Sequence, residues 1–357
     1  MNVIAVGDET LRAVDTCGHV ASAEGIAAAD STERSPEVSI ILVNWRSKDY
    51  VRACLRSLAE ERHRDSYEVL VVDNDSEDGC GTMLEEEFPQ VRYIESTANL
   101  GFARANNLAA AKSRGRYILF LNPDTEVRAG AIETLAAALD AHPDAGMVGA
   151  RLLNTDGTLQ TTCVTAIPNI LNQTLNLEWL RKAFPMWGIW GMRALYSGAK
   201  TPCAVEAISG ACMMARREVV DAVAGFSSDY FMYAEDMDLC AKVAKAGHVI
   251  LYVPEAIIVH HGGASSSQRE ESNFSSIATR ESLMRFFTLH RGRGYAWVSR
   301  AFMALICMLR LSVLALASPV ALDPRGARLL RGAWTKWVNI LAWCVGWTAF
   351  RERRVKQ

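Results

Sequence analysis

VSIILVN (38–44), YEVLVVDN (67–74) and RYILFLN (116–122) are apolar, largely β-branched runs of strand length, each closing on Asn or Asp-Asn. Continuous rather than alternating hydrophobicity is what a strand needs when both its faces are buried. Working outward, residues 47–62 have helical spacing, with Val51, Cys54, Leu55 and Leu58 on one face. Further helices are predicted over 78–88, 102–114 and the Ala-rich 129–142, the last stopped near Pro143. VRYIES (91–96) and GMVGARLL (146–153) read as additional strands. Strands and helices alternating at this spacing predict an α/β fold with a doubly wound, mostly parallel sheet flanked by helices and right-handed crossovers. The alternation then breaks. Residues 155–200, with three Trp and scattered Gly and Pro, read as a substrate-facing insertion. Residues 207–225 read as a strand running into a helix, and 236–247 as a helix stopped by Gly247. HVILYVP (248–254) and AIIVHH (256–261) read as two strands.

The chain has 357 residues, half of them hydrophobic and 22% charged, which suits a globular domain with an appendage. Its formal net charge of -2 conceals an asymmetry, because the segment from Arg280 onward carries fourteen Lys or Arg against three Asp or Glu. A basic end on an acidic body points to an anionic partner such as a membrane surface or a phosphate-rich ligand; no nucleic-acid partner is expected. Residues 276–290 look helical. Two apolar stretches follow, 301–318 (interrupted by Arg310) and 337–350. Neither gives about twenty uninterrupted apolar residues, so helices lying in or on a membrane are expected rather than a clean span; the bland alternative is a helical subdomain on the body. Three parts result: a flexible extension over 1–35, rich in Ala, Ser, Asp, Glu and Thr; the α/β domain over 36–275; and a basic, apolar helical segment over 276–357. None of the nine cysteines forms a CxxC pair, so reduced core thiols are expected rather than a zinc site. With no apolar leader near the start, a cytoplasmic location is expected, peripheral on the inner face of the membrane.

Polar residues gather where the predicted strands end: Asn44, Asp73 with Asn74, and Asp124 in LNPDT. Open parallel sheets bind ligands beyond the carboxyl ends of their strands. Asp73 is either a ligand for a base or ribose, or an ordinary turn Asp in DNDSEDG. Asp124 is either a hard oxygen ligand for a divalent ion or the N-cap of the following helix. Glu235, Asp236 and Asp238 crowd three carboxylates into FMYAEDMDLC, where they either complement a helix dipole or supply a general base. His260 and His261 end the last strand before GGASSS, a pairing suited to metal ligation and, in the Gly and Ser run, to phosphate binding. NLGFARANN (99–107) places a Gly turn before a helix whose N-terminus suits an anion.

The order VSIILVNW, VLVVDNDS, NLGFARANN, ILFLNPDT, LLNTDGTLQ, SGACMMARREVVDAVAGF, FMYAEDMDLC, VHHGGASS resembles the family 2 glycosyltransferases, and within them the rhamnosyltransferase-like branch. The likeness covers about 37–295. It implies a GT-A fold on 36–275 and an inverting, single-displacement transfer from a nucleotide-sugar donor, with Mg²⁺ or Mn²⁺, to a saccharide or lipid-linked saccharide. Carried over by position, Asn44 and Asp73 contact the nucleoside, and Gly101 and Asn106 belong to the donor loop and helix. Asp124 binds metal, His260 or His261 assists it, and Gly210 lets backbone approach the sugar. Asp236 is the base, with Glu235 its neighbour. The branch favours dTDP-L-rhamnose, with UDP-sugars open. In place of a DxD motif stands Asn122-Pro123-Asp124, so metal binding rests on one carboxylate and a histidine. A nucleotide-sugar pyrophosphorylase would need a basic Gly-rich loop after the first strand, and a dinucleotide oxidoreductase a GxGxxG; VSIILVNWRSKD has neither. A non-catalytic nucleotide-sugar-binding protein is the alternative outside enzymology.

Overall fold

Each continuous apolar run becomes a strand with two buried faces, and alternate residues separate into two cores. Ile40 and Leu42 of the first strand pack on one side, Ile41 and Val43 on the other; Leu119 and Leu121 oppose Ile118 and Phe120 in the same way. A side-chain period of two requires this division. Each aliphatic side chain so buried contributes about 1.5–3 kcal/mol, and the one polar interruption near the start of β1 and β2 is a matched pair, the Ser39 hydroxyl donating to Glu68 at 2.6 Å. The computed structural model describes residues 36–61, 66–175, 177–198, 200–262, 272–317 and 324–346. The extension expected over 1–35 and most of the GGASSS run lie outside the described residues.

In chain order the elements are β1 (Val38–Asn44), α1 (Lys48–Ala59), β2 (Tyr67–Asn74), α2 (Cys80–Glu87), β3 (Arg92–Ser96), α3 (Gly101–Lys112), β4 (Tyr117–Leu121), β5 (Thr125–Val127), α4 (Ala131–Ala141) and β6 (Ala145–Leu153). Next come β7 (Val164–Thr165), α5 (Ile170–Thr174), α6 (Glu178–Ala183), α7 (Arg193–Tyr196), β8 (Cys203–Val205), β9 (Ala207–Ile208), β10 (Cys212–Arg216), α8 (Arg217–Ala222), α9 (Glu235–Lys245) and β11 (Val249–His260). Three long helices close the described chain: α10 (Ser272–Arg291), α11 (Arg293–Ala317) and α12 (Pro324–Cys344).

The main sheet has the order β3-β2-β1-β4-β10-β6-β11-β5, with β8 beside β11. Strands β3, β2, β1 and β4 are parallel, as are β6 and β11. Two features depart from the expected alternation. Strand β10 runs antiparallel between β4 and β6, because it returns from the insertion rather than crossing over the sheet. The two strands expected over 248–261 are one, β11, whose register against β6 shifts between Val253 and Ile257. Pro254 falls in that interruption, where a missing N–H costs no ladder bond.

The C-terminal helices are held by specific contacts. Phe286 and Phe287 of α10 pack with Tyr230, Ala234 and Ala296. Cys307 of α11 packs with Ile340, Trp343 and Cys344 of α12. Arg300 donates to the carbonyls of Trp343 and Cys344 at the end of α12 (2.6 and 2.9 Å), satisfying helix-terminal acceptors with a cation. Arg310, which interrupts the apolar run, lies over the Trp337 ring at 4.2 Å. Helix α11 begins eight residues before the apolar stretch read from the sequence, so Arg293–Leu316 is, after all, long and apolar enough to cross a membrane, with a mean hydropathy of 1.8 and only 11% of its most apolar window buried. Trp297, Leu305, Leu309, Val313 and Leu316 are exposed on it.

Candidate active site

The strand order reverses beside β1: β2 and β3 step away on one side and β4 lies on the other. The crevice beyond such a reversal is where open α/β sheets bind ligands. Here it is a pocket of about 280 Å³ whose walls include Trp45 after β1, Asn74 and Asn99, Asn122 to Asp124 after β4, Gly210, Glu235, Asp236 and His260. Residues from 45 to 260 therefore meet in one place.

Strand register explains which side chains reach it. Asn44 pairs with Asp73 across β1 and β2, yet neither lines the pocket. The Asn44 amide donates to Ser76 Oγ (3.0 Å) and Asp78 Oδ1 (3.1 Å), and its carbonyl accepts from the Ser47 N–H and hydroxyl. Asp73 accepts from the Ser76 N–H (3.0 Å) and the Tyr93 hydroxyl (3.2 Å), and burial raises its pKa. Both hold the 73–80 turn against the sheet. Asn106 likewise bonds back to the Phe102 carbonyl within α3. Asn74 does line the pocket; it accepts the Leu100 N–H (2.7 Å) and donates to Asn99 Oδ1 (3.0 Å), fixing the 99–101 turn. Gly101 is needed there. It has φ +76°, and a Cβ would sit 2.5 Å from the Phe231 carbonyl oxygen.

Asp124 is no helix cap, since α4 starts after Gly130. Its carboxylate faces His260, with Nε2 3.3 Å from Oδ1. Nδ1 of His260 meets Gln160 Oε1 at 2.9 Å, and the Gln160 amide donates to the His260 carbonyl at 2.7 Å. This reciprocal pair orients the ring. With the proton on Nδ1, the Nε2 lone pair points toward Asp124, as in metal-ligating histidines held by an outer partner. Among the described residues no group of three or more His, Cys, Asp or Glu is placed to hold a metal. One carboxylate and one imidazole nevertheless suit a divalent ion that takes its remaining ligands from a diphosphate and water. His261 points elsewhere, to Glu126 at 2.8 Å and edge-on to Tyr50, outside the pocket lining.

The acidic cluster at the start of α9 separates into two tasks. Asp238 is almost fully buried and accepts from Ser227 Oγ (2.6 Å), Tyr230 OH (3.3 Å) and His290 Nε2 (2.7 Å) of α10. It is a structural tie. Asp236 takes N–H bonds from Gly210 on Oδ2 (3.1 Å) and Met237 on Oδ1 (2.8 Å). Gly210 is close enough that a Cβ would stand 3.3 Å from that of Asp236. Desolvation nevertheless raises the Asp236 pKa, outweighing the N–H bonds. Burial first, and the Asp236 charge second, push Glu235 up to about 8, and its Oε2 has no hydrogen-bond partner among the described residues. Helix α9 has no side-chain N-cap. Instead Tyr233 and Ala234 take φ of +71° and +63°, a strained pair costing on the order of 1–3 kcal/mol per residue, which turns the chain so that Glu235 and Asp236 face the pocket.

A second pocket, of about 300 Å³, meets the first at Ser209 and Asp236. Its walls come from the insertion (Thr165, Asn172, Gln173, Arg181, Trp190) and from Thr279 and Leu283 of α10. The insertion thus has local order unread in the sequence: α5 carries a capping box between Asn169 and Asn172. Gln160 and Ser209 also escaped the sequence reading; the only signal for Gln160 was its place at the end of LLNTDGTLQ.

Pockets on either side of one half-buried carboxylate, one of them at a strand-order reversal, form the working surface of a group-transfer enzyme. The chain belongs to glycosyl transferase family 2, whose model matches residues 39–223. It is therefore a glycosyltransferase. Among curated relatives, an N-acetylglucosaminyl-diphospho-decaprenol L-rhamnosyltransferase of Mycobacterium tuberculosis is 29% identical over 237 residues, 62% of this chain and 75% of that one. The rhamnosyltransferase WbbL of Escherichia coli is 26% identical over 232 residues, 63% of this chain and 83% of its own. The mannosyltransferase PcManGT of Pyrobaculum calidifontis, solved with GDP-Man and Mn²⁺, superposes with a TM-score of 0.51 at 19% identity, over 87% of this chain and 86% of that one, which shows a shared GT-A fold.

Proposed function

We propose that this glycosyltransferase moves L-rhamnose from dTDP-L-rhamnose onto a saccharide carried by a polyprenyl diphosphate, in cell-surface polysaccharide synthesis. The observation that carries the reading is the Asp236 carboxylate, fixed by two N–H bonds where the two pockets meet. The nucleotide sugar occupies the pocket at the strand reversal, and the acceptor enters from the insertion side. Asp236 takes the proton of the acceptor hydroxyl as that oxygen bonds to the anomeric carbon and the nucleotide diphosphate leaves from the opposite face, giving inversion. The desolvation that raises its pKa also makes it a stronger base once ionised. Gly210 lets the backbone come close to the reacting sugar. Asp124 and His260 would hold Mg²⁺ or Mn²⁺, which when bound neutralises charge on the leaving diphosphate.

Support for the donor comes from the two rhamnosyltransferase relatives. UDP-sugars are the second reading, and a panel of nucleotide sugars assayed with metal and with EDTA decides between them. Asp236→Asn lowers kcat by about 10²–10⁴-fold with donor KM within about twofold; near wild-type turnover would remove Asp236 as base. The exposed apolar side chains of α11 and the basic surroundings support docking on the cytoplasmic face of an anionic membrane. Full-length protein should float with vesicles containing anionic lipid. Protein that stays at the bottom of the gradient with and without such lipid would refute that part.

A further inference from the structure

The second pocket is lined by two charged side chains, Asp236 and Arg181. They are not paired with each other or, for Arg181, with any carboxylate among the described residues. The Arg181 guanidinium instead rests against the Met192 sulfur at 3.1 Å, a soft contact that satisfies little of a group with five donors. Helix α6 carries it, in the insertion, and the uncharged polar groups of Thr165, Asn172 and Gln173 lie in the same lining. A proton acceptor and a guanidinium with no carboxylate partner among the described residues, both in one pocket, define a bipolar ligand: a hydroxyl to be deprotonated and an anion to be bound. Guanidinium forks match phosphoryl oxygens in shape and charge. Thr279 and Leu283 of α10 also line the pocket, and α10 leads directly into the apolar helix α11.

We infer that Arg181 is the phosphoryl-binding residue of the acceptor subsite, so that the pocket takes a saccharide linked through phosphate or diphosphate and directs the lipid beyond that linkage toward α10 and α11. This rests on the glycosyl-transfer reading above and adds to it the residue that selects an anionic acceptor. Arg181 touches substrate but not the reacting atoms, so its effect belongs in acceptor binding.

The test uses the full-length chain with dTDP-L-rhamnose, metal, and a short-chain prenyl-diphospho-N-acetylglucosamine, alongside the corresponding prenyl phosphate and a neutral alkyl glycoside. Arg181→Ala should raise the KM for the diphosphate acceptor about tenfold or more while the donor KM stays within about twofold, and Arg181→Lys should recover part of the loss. The phosphate arm shows whether one phosphoryl group suffices or two are needed. An unchanged acceptor KM in Arg181→Ala overturns the assignment. So does a parallel rise of donor and acceptor KM, or an Arg181→Lys variant no better than Arg181→Ala, since a merely structural role would give either. Wild-type transfer to the neutral glycoside alone removes the anionic subsite and leaves glycosyl transfer intact. No transfer to any acceptor with any nucleotide sugar removes the rhamnosyl reading itself.

Discussion

The two walls of the site are built on opposite plans. On the strand-end wall and directly behind it, polar side chains bond to one another: Asn74 to Asn99 and His260 to Gln160 at the pocket, Asn44 to Ser76 and Asp78 and Asp73 to Tyr93 behind the lining. On the wall formed by α9 and the insertion, groups are left incomplete among the described residues: Glu235 Oε2 lacks a partner there, Asp236 is desolvated and Arg181 meets the Met192 thioether. The first wall is saturated and therefore rigid. The second stores unmet interactions that a substrate can complete. Positioning and reactivity have been assigned to different parts of the chain.

Three experiments press on that contrast. The largest effect is expected from Asn44→Ala, which leaves Ser76, Asp78 and Ser47 short of a buried partner. It should cost about 1–3 kcal/mol in denaturant unfolding. Stability within about 0.5 kcal/mol of wild type, together with a raised donor KM, would mean instead that Asn44 touches the nucleoside and the wall is not saturated. Next, Gln160→Leu removes the partner that holds His260, and metal activation should need about 10–100-fold more Mn²⁺; an unshifted activation curve would show that the ring orients itself. The smallest effect concerns pH. Glu235 has its folded pKa raised to about 8 from 4.5. Its contribution to stability is therefore present in full below about pH 4.5 and is lost as pH climbs through 8. Glu235→Gln, neutral throughout, should gain in Tm over wild type by a few degrees between pH 5 and pH 9. A constant Tm difference across that range would show that Glu235 titrates at the same pH folded and unfolded, so that its folded pKa is not raised.

Much of the fold could be read from local pattern, and the reasons for the misses are physical. VSIILVN could hardly be anything but a strand buried on both sides. The direction of β10 was hidden, because hydrophobic periodicity is the same whichever way a strand runs. Pro254 divided β11 in the sequence because a proline reads as a break unless a register shift accommodates it. In the site, residue type at a strand end predicted location better than orientation. Asn44, Asp73 and Asp124 all lie where strands end, but only Asp124 reaches the pocket. A single sequence holds no information on whether an amide at such a position meets a ligand or its neighbours. Asp236 and Asp238 make the same point on one helix: two residues apart, one faces both pockets and the other is enclosed by Ser227, Tyr230 and His290.

The antiparallel placement of β10 beside β6 has a consequence for how such an enzyme can change. Strand β6 ends at Leu153 and β10 begins at Cys212, and the two are hydrogen-bonded neighbours. The chain leaves the sheet after Leu153 and returns beside the same strand at Cys212, having added β8 to the side of β11 on the way. The two ends of this stretch are tied to the site, Gln160 to His260 and Gly210 to Asp236. A lineage, or an engineer, that keeps those ties can alter the stretch carrying α5, α6 and α7 between them without touching the pairing of β1, β2, β3 and β4, so acceptor preference can drift while donor chemistry stands still.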